Sequence, residues 1–192
     1  STRKGKTVFM QDILDETVDL ARKEIIKRES KISSKEVEKR ALAIALSAIF
    51  YGDLKNYRGN DMIFDLERFV SFEGDTGPYL LYSYARAKSI LKKANYRKLN
   101  KFSFGALERK EKTLIKKLSA FPEIVKQSYN ELSPSTIAHY SYELAQIFNE
   151  FYHSEKVIGA DSESFKLALV AAFAQTLKNA LFLLGIPVLE EM

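Results

Sequence analysis

The chain has 192 residues, of which 46% are apolar and 29% charged, with only 8 Gly and 4 Pro, a composition typical of a folded, helix-rich protein with a sizeable core. It contains no cysteine and carries a net charge of +5, so disulfides, thiolate zinc sites and cysteine nucleophiles are excluded, and a cytoplasmic location fits. No apolar run reaches membrane length, and the N-terminus lacks the apolar core of a signal peptide.

Helical periodicity begins close to the N-terminus. Residues 11–28 place their apolar side chains on one stripe, which predicts an amphipathic helix. Ser33 and Glu36 have the spacing of a capping box, which predicts a second helix that ends near Gly52. Residues 52–76 are predicted to be irregular, apart from a short extended piece and a helical turn within residues 60–67.

The second half of the chain also reads as successive helices. Pro78 is a favourable first helical residue, and its helix is predicted to continue to about Ala94. Further helices are predicted at 106–120, 122–132, 134–152 and 162–184, and Gly185 is predicted to be the left-handed residue that ends the last one. No segment alternates with a period of two over a useful length. The sequence therefore predicts an all-α fold, a helical bundle of about seven helices with no substantial sheet.

Positive charge is concentrated in one segment. Residues 86–117 hold twelve Lys or Arg and two Glu, a net charge of +10, whereas residues 118–192 hold four Lys and nine acidic residues, a net charge of −5. Such asymmetry favours a polyanion bound to one part of the surface. The alternative is a solvated Lys-rich helix face, and charge alone leaves both interpretations open.

Catalytic groups are scarce. The two histidines, His139 and His153, are fourteen residues apart and lack the spacing of metal ligands. No glycine-rich phosphate loop follows a strand, and no Gly-x-Ser-x-Gly motif occurs. We therefore expect neither a metal site nor catalytic residues in this chain.

Aromatic and cationic residues share one face of the helix that starts at Pro78. Tyr79, Tyr82 and Arg86 are spaced i, i+3, i+7, and Lys93 follows them along the same helix. Rings beside cations suit single-stranded nucleic acid, whose bases stack on the rings while phosphates meet the cations. The alternative is that both tyrosines are half-buried core residues, and spacing alone slightly favours it. A second aromatic cluster, which includes Tyr152, allows the same two interpretations.

Four stretches in order resemble the arginyl-tRNA synthetase family of class I. FEGDTGPYLLYSYAR resembles that family's Phe-Glu-Gly-Asp/Asn-Thr-Gly-Pro-Tyr-Leu-Gln-Tyr-Ala-x-x-Arg, with Leu81 and Ser83 as departures. The opening STRKGKTVFMQDILDETVDLA resembles the family's version of the Lys-Met-Ser-Lys-Ser loop and the helix after it. YELAQIFNEFYH with KVI, and the closing LLGIPVLEEM, resemble two further family segments, with Glu191 in place of the usual Arg.

The resemblance implies a function and a domain organisation. The chain would be the C-terminal tRNA-binding region of an arginine–tRNA ligase, with the catalytic Rossmann domain elsewhere, and would be inactive alone. Residues 1–72 would hold the end of the phosphate-binding loop and a helical region that contacts the tRNA stem. Residues 73–192 would form the helical anticodon-binding domain. The full enzyme would use ATP with Mg²⁺.

The resemblance also implies site residues. The ATP phosphates would be contacted by Ser1, Arg3 and Lys4. The partner would be tRNA(Arg), together with the catalytic domain in the same or a separate chain, and neither a membrane nor DNA is expected. Predicted tRNA contacts are Tyr79, Tyr82, Arg86, Lys93, Tyr152 and Met192. The alternative is a free-standing helical module that binds RNA or a partner and assembles with a separate catalytic chain.

Overall fold

The computed structural model describes residues 9–29, 32–61, 65–98 and 105–192. Within these ranges the chain forms eight helices and no strand, which confirms the all-α prediction. The helices are α1 (Met10–Arg28), α2 (Ser34–Leu54), α3 (Leu66–Phe69), α4 (Gly77–Lys93), α5 (Arg109–Ser119), α6 (Phe121–Glu131), α7 (Ser135–Ser154) and α8 (Glu163–Leu183). α3 is a single helical turn within the segment predicted to be irregular.

Short polar side chains set several of the helix starts. The Ser33 hydroxyl accepts a hydrogen bond from the Glu36 amide at 3.3 Å, as the capping pattern predicted. The Thr76 hydroxyl accepts the Tyr79 amide at 3.3 Å, directly before Pro78 in the first turn of α4. α8 is followed by Gly185 with φ of +71°, which confirms the predicted left-handed residue there.

The helices form one packed bundle. α1 packs on α2, α2 packs on α4, and α4 packs on α8, while α7 lies against α8, α5 and α6. The buried core includes Leu80 and Tyr84 from α4, Phe148 from α7 and Phe173 from α8. The rings of Phe148 and Phe173 stack with their centroids 3.7 Å apart. α4 and α7 also contact each other directly, and this contact positions the site.

Contrary to the expectation from the sequence, the described residues include one helix, α8, that is long and apolar enough to cross a membrane by length and composition. Half of its apolar window is nevertheless buried inside the bundle, where Val170, Phe173 and Leu177 are fully buried. A central helix of a helical bundle has the same composition, because it is apolar on nearly all sides. The structure accounts for the apolar character of α8 through the protein core.

The start of α4 is held against α2 by a close backbone contact. A Cβ atom at Gly77 would lie 2.0 Å from the carbonyl oxygen of Ser47, so only glycine fits this position. Beside it, the buried Tyr51 hydroxyl donates to the Asp75 carboxylate at 2.6 Å, and Lys55 donates to the same carboxylate at 3.1 Å. Burial and the neighbouring Asp75 raise the pKa of Tyr51. The turn that precedes α4 is therefore fixed on α2.

We predict that Gly77→Ala destabilises the protein by roughly 1–3 kcal/mol, because the new methyl group overlaps the backbone of α2 and forces the two helices apart. Urea unfolding followed by far-UV circular dichroism measures this change. The matched control is Gly105→Ala, since a Cβ at Gly105 meets nothing within 4 Å. Equal unfolding free energies for the two variants would contradict the close α2–α4 contact.

Candidate nucleic-acid interface

A groove runs along the second half of α4. Its volume is about 1220 Å³, and it is bounded by α4, the segment after it, the end of α7 and the last residues of the chain. The lining includes Tyr82, Arg86, Lys88, Lys92, Lys93, Arg97, Tyr152, Glu190, Glu191 and Met192. Five of the six tRNA contacts predicted from sequence therefore lie in one groove, although they come from three separate parts of the chain.

Arg86 contacts two tyrosine rings in this groove. Its guanidinium carbon lies 4.8 Å from the centroid of the Tyr82 ring and 5.6 Å from that of Tyr152. Both distances are within the range of cation–π attraction. Tyr82 lies on α4 and Tyr152 on α7, and more than a third of each side chain is exposed. The groove thus presents two rings and a planar cation that are already assembled.

Asn149 holds Arg86 in place from beneath. Its side-chain oxygen accepts a hydrogen bond from Arg86 Nη1 at 2.6 Å. Its side-chain nitrogen donates to the Tyr79 hydroxyl at 2.8 Å and to Ser83 Oγ at 3.0 Å. Asn149 is only 9% exposed, so its amide satisfies its hydrogen-bonding groups inside the protein. One buried amide therefore connects three side chains of α4 to α7.

Sequence reasoning did not identify Asn149 or Ser83 as part of this arrangement. Asn149 lies among the apolar positions of α7, next to Phe148, where a polar side chain needs an internal partner. A polar residue at such a position indicates an internal hydrogen-bonding partner, and this signal could have identified Asn149 from the sequence. Ser83 is one of the two departures from the family motif. The structure places its hydroxyl on the same amide that binds Arg86.

Tyr79 lies apart from the groove. Its ring meets the edge of the Tyr142 ring with a centroid distance of 5.7 Å, and its hydroxyl accepts the Asn149 hydrogen bond. Tyr79 is half-buried against the core, as the alternative interpretation of the two tyrosines described. Spacing of i and i+3 placed Tyr79 and Tyr82 on one helix face, but α7 covers the N-terminal part of that face. A direct tRNA contact by Tyr79 stays a prediction.

A smaller cavity adjoins the groove. It has a volume of about 370 Å³ and shares Tyr82 and Met192 with the groove. Its other lining residues are Ile25, Glu29, Arg40, Ile44 and Phe72. Arg40 is buried and donates to Glu29 at 2.9 Å. Met192 therefore lies at the boundary between the groove and the cavity. Its contact with tRNA stays a prediction.

Two lysines of the positive segment form ion pairs with acidic residues near the C-terminus. Lys88 pairs with Glu190 at 3.1 Å and Lys92 with Glu191 at 2.5 Å, both inside the groove. The hydrogen bond between Lys92 and Glu191 raises the pKa of the lysine and lowers that of the glutamate. The exposed side chain of Lys93 has no ion pair in the described part of the chain. The predicted phosphate contacts thus differ in how accessible their charge is.

The predicted ATP contacts Ser1, Arg3 and Lys4 lie outside the described residues. Both histidines are exposed. In the described ranges, no group of three or more His, Asp or Glu side chains could hold a metal ion. The groove combines exposed rings with several cations, and such a combination suits RNA with unpaired bases.

The described residues thus form an all-helical bundle with a positively charged groove. Residues 80–192 match the DALR anticodon binding domain, and residues 1–66 match tRNA synthetases class I (R), catalytic domain. The chain belongs to the arginyl-tRNA synthetase family, with its DALR anticodon binding domain at residues 80–192. The resemblance found in the sequence motifs is thereby confirmed. The predicted domain boundary after residue 72 stays a prediction.

Relatives and solved structures agree with this assignment. The chain is 42% identical to the arginine–tRNA ligase of Clostridium perfringens and 39% identical to that of Ligilactobacillus salivarius. Each match covers 100% of this chain and 34% of the relative, so the chain spans about a third of those proteins. The arginyl-tRNA synthetase of Thermus thermophilus superposes on 97% of this chain, with a TM-score of 0.90 and 31% identity. The superposed part is 32% of the Thermus protein. The arginyl-tRNA synthetase of Plasmodium falciparum matches 96% of this chain, with a TM-score of 0.89 and 26% identity. The matched part is 34% of the Plasmodium protein.

We predict that Asn149→Ala lowers the free energy of unfolding by about 1–3 kcal/mol, because the buried Ser83 hydroxyl and the part-buried Tyr79 hydroxyl and Arg86 guanidinium lose the amide to which they bond. Thermal or urea unfolding checks this value. The matched control is Asn130→Ala on the exposed face of α6, for which we expect a change within about 0.5 kcal/mol. An unfolding curve of Asn149→Ala that coincides with the wild-type curve would show that the network does not hold α4 to α7.

Proposed function

We propose that this chain is the tRNA-binding, anticodon-recognising region of an arginine–tRNA ligase. The full enzyme would convert ATP, arginine and tRNA(Arg) into arginyl-tRNA, AMP and pyrophosphate, with Mg²⁺ accompanying the nucleotide. The observation that carries the proposal is the contact of Arg86 with both Tyr82 and Tyr152 in an open, positively charged groove. The 192-residue chain alone would bind RNA without catalysing aminoacylation.

Each kind of side chain in the groove would have a separate function in RNA binding. Unpaired bases of the anticodon loop would stack on the rings of Tyr82 and Tyr152, because every base presents a flat π-face. Phosphates would meet Lys93 and Arg97, which contributes affinity that depends on salt rather than on sequence. Met192 would provide an apolar wall for a base that leaves the loop stack. Arg86 would keep both rings in position.

Residues outside the described ranges complete the proposal. By their resemblance to the class I phosphate-binding loop, Ser1, Arg3 and Lys4 would contact the ATP phosphates in the full enzyme, with charge-assisted hydrogen bonds that stabilise the transition state. Translation enzymes of this kind act on tRNA in the cytoplasm, which is the location we propose. The partners would be tRNA(Arg) and the catalytic domain.

Binding of the chain to transcripts of tRNA(Arg) tests this proposal. We predict that Tyr82→Ala and Tyr152→Ala each weaken binding by about 1–3 kcal/mol, which is the typical contribution of a ring that stacks on a base. Substitutions in the anticodon loop should weaken wild-type binding in the same range and should have less effect in these variants. Fluorescence anisotropy at fixed ionic strength provides the measurement.

The matched control is Tyr129→Ala, because Tyr129 is 78% exposed on α6 and outside the groove. Its affinity for tRNA(Arg) should equal that of the wild type. The proposal fails if unrelated tRNAs bind as tightly as tRNA(Arg) and if neither groove tyrosine matters. Such a result would leave only a basic helical bundle with general affinity for polyanions.

A further inference from the structure

The last residues of the chain are anchored by apolar contacts. Ile186 and Leu189 are buried in the main core, and Val188 packs against it. Burial of such apolar side chains stabilises the folded state. The C-terminal segment is therefore held on the bundle by its apolar side chains, with Glu190, Glu191 and Met192 directed along the groove.

The two carboxylates of this segment lie on the groove's lysines. Glu190 pairs with Lys88 and Glu191 with Lys92, and the glutamates are 67% and 61% exposed. Ion pairs this exposed contribute little to stability. Because buried neighbours already anchor the segment, the two pairs are not needed to hold it in place.

Their effect on charge is larger than their effect on stability. Among the described lining residues, five carry positive charge, namely Arg86, Lys88, Lys92, Lys93 and Arg97, and two carry negative charge. Glu190 and Glu191 thus reduce a groove charge of +5 to +3. A phosphate that approaches Lys88 or Lys92 meets a carboxylate already bound there, with which it competes for the ammonium group.

We propose that Glu190 and Glu191 act as built-in competitors for phosphate at Lys88 and Lys92 and thereby make the groove selective. A polyanion that binds through charge alone has to displace the carboxylates with nothing else gained. An RNA loop that stacks on Tyr82 and Tyr152 can place its phosphates on Lys93 and Arg97, which have no ion pair within the described residues, so the competition at Lys88 and Lys92 costs it less free energy. This inference rests on the proposed RNA-binding function of the groove.

The test compares two ligands with the double variant Glu190→Gln and Glu191→Gln. Heparin provides a polyanion without bases, and a tRNA(Arg) transcript provides phosphates together with unpaired bases. We expect the variant to bind heparin roughly 3- to 10-fold more tightly than the wild type and to bind tRNA(Arg) with a smaller gain. The ratio of the two affinities should therefore shift toward heparin.

Salt dependence gives a second readout. If both lysines become available to phosphates, the plot of log affinity against log salt should steepen by up to about 1.4, at roughly 0.7 per single-strand phosphate contact. Glu143→Gln is the matched control, because Glu143 pairs with Lys117 on α7 and α5, outside the groove. This variant should leave heparin affinity and the salt slope for tRNA(Arg) unchanged.

The outcomes separate this inference from the proposed function. Unchanged or weaker heparin binding by the double variant would overturn the inference, and weaker binding would show instead that the carboxylates position the C-terminal segment. A gain in heparin affinity equal to the gain for tRNA(Arg) would overturn the claim of selectivity. Failure of the wild type to prefer tRNA(Arg) over unrelated tRNAs would refute the proposed function, whatever the variant does with heparin.

Discussion

The close approach of α4 to α2 is the constraint on which the rest of the structure depends. Because Gly77 has no side chain, the first turn of α4 rests against the Ser47 carbonyl, and the bond from Tyr51 to Asp75 holds the preceding turn at the same place. A helix whose start and tilt are fixed has no freedom to rotate its side chains to other directions. The directions of Tyr82 and Arg86, about one and a half and two and a half turns later, follow from this contact.

The groove results from the way α7 meets the helix fixed in this manner. Asn149 connects α7 to α4 through three hydrogen-bonded partners, and Tyr152 follows one turn later beside Arg86. Since the bonding groups of the amide are engaged inside the protein, the guanidinium is held in position before any ligand arrives. A preorganised site of this kind loses less conformational entropy on binding. The C-terminal segment closes the groove on its other side and adds two negative charges to a positive surface.

Much of this organisation could be predicted from the sequence, for reasons that differ between residues. Helical periodicity, Ser33 and Pro78 were sufficient to place the helices, because capping and amphipathicity are local. Arg86 and Tyr82 were identified from their spacing on a single helix. Tyr152 belonged to an aromatic cluster that left two interpretations open, and only the family resemblance made Tyr152 and Met192 predicted tRNA contacts. Local spacing was insufficient for Tyr79, because α7 covers its part of the helix face.

The sequence by itself determined an all-helical chain of the arginyl-tRNA synthetase family, with its positive charge concentrated in residues 86–117. These properties are local or compositional, so they survive without knowledge of how the helices pack. Only the tertiary structure decided that Tyr82 and Tyr152 share one guanidinium, that Asn149 holds it, and that Glu190 and Glu191 lie on Lys88 and Lys92. Apart from the contact of Arg86 with Tyr82 inside α4, each of these contacts joins residues more than sixty positions apart, and their distance in space depends on how α4, α7 and the C-terminal segment pack together.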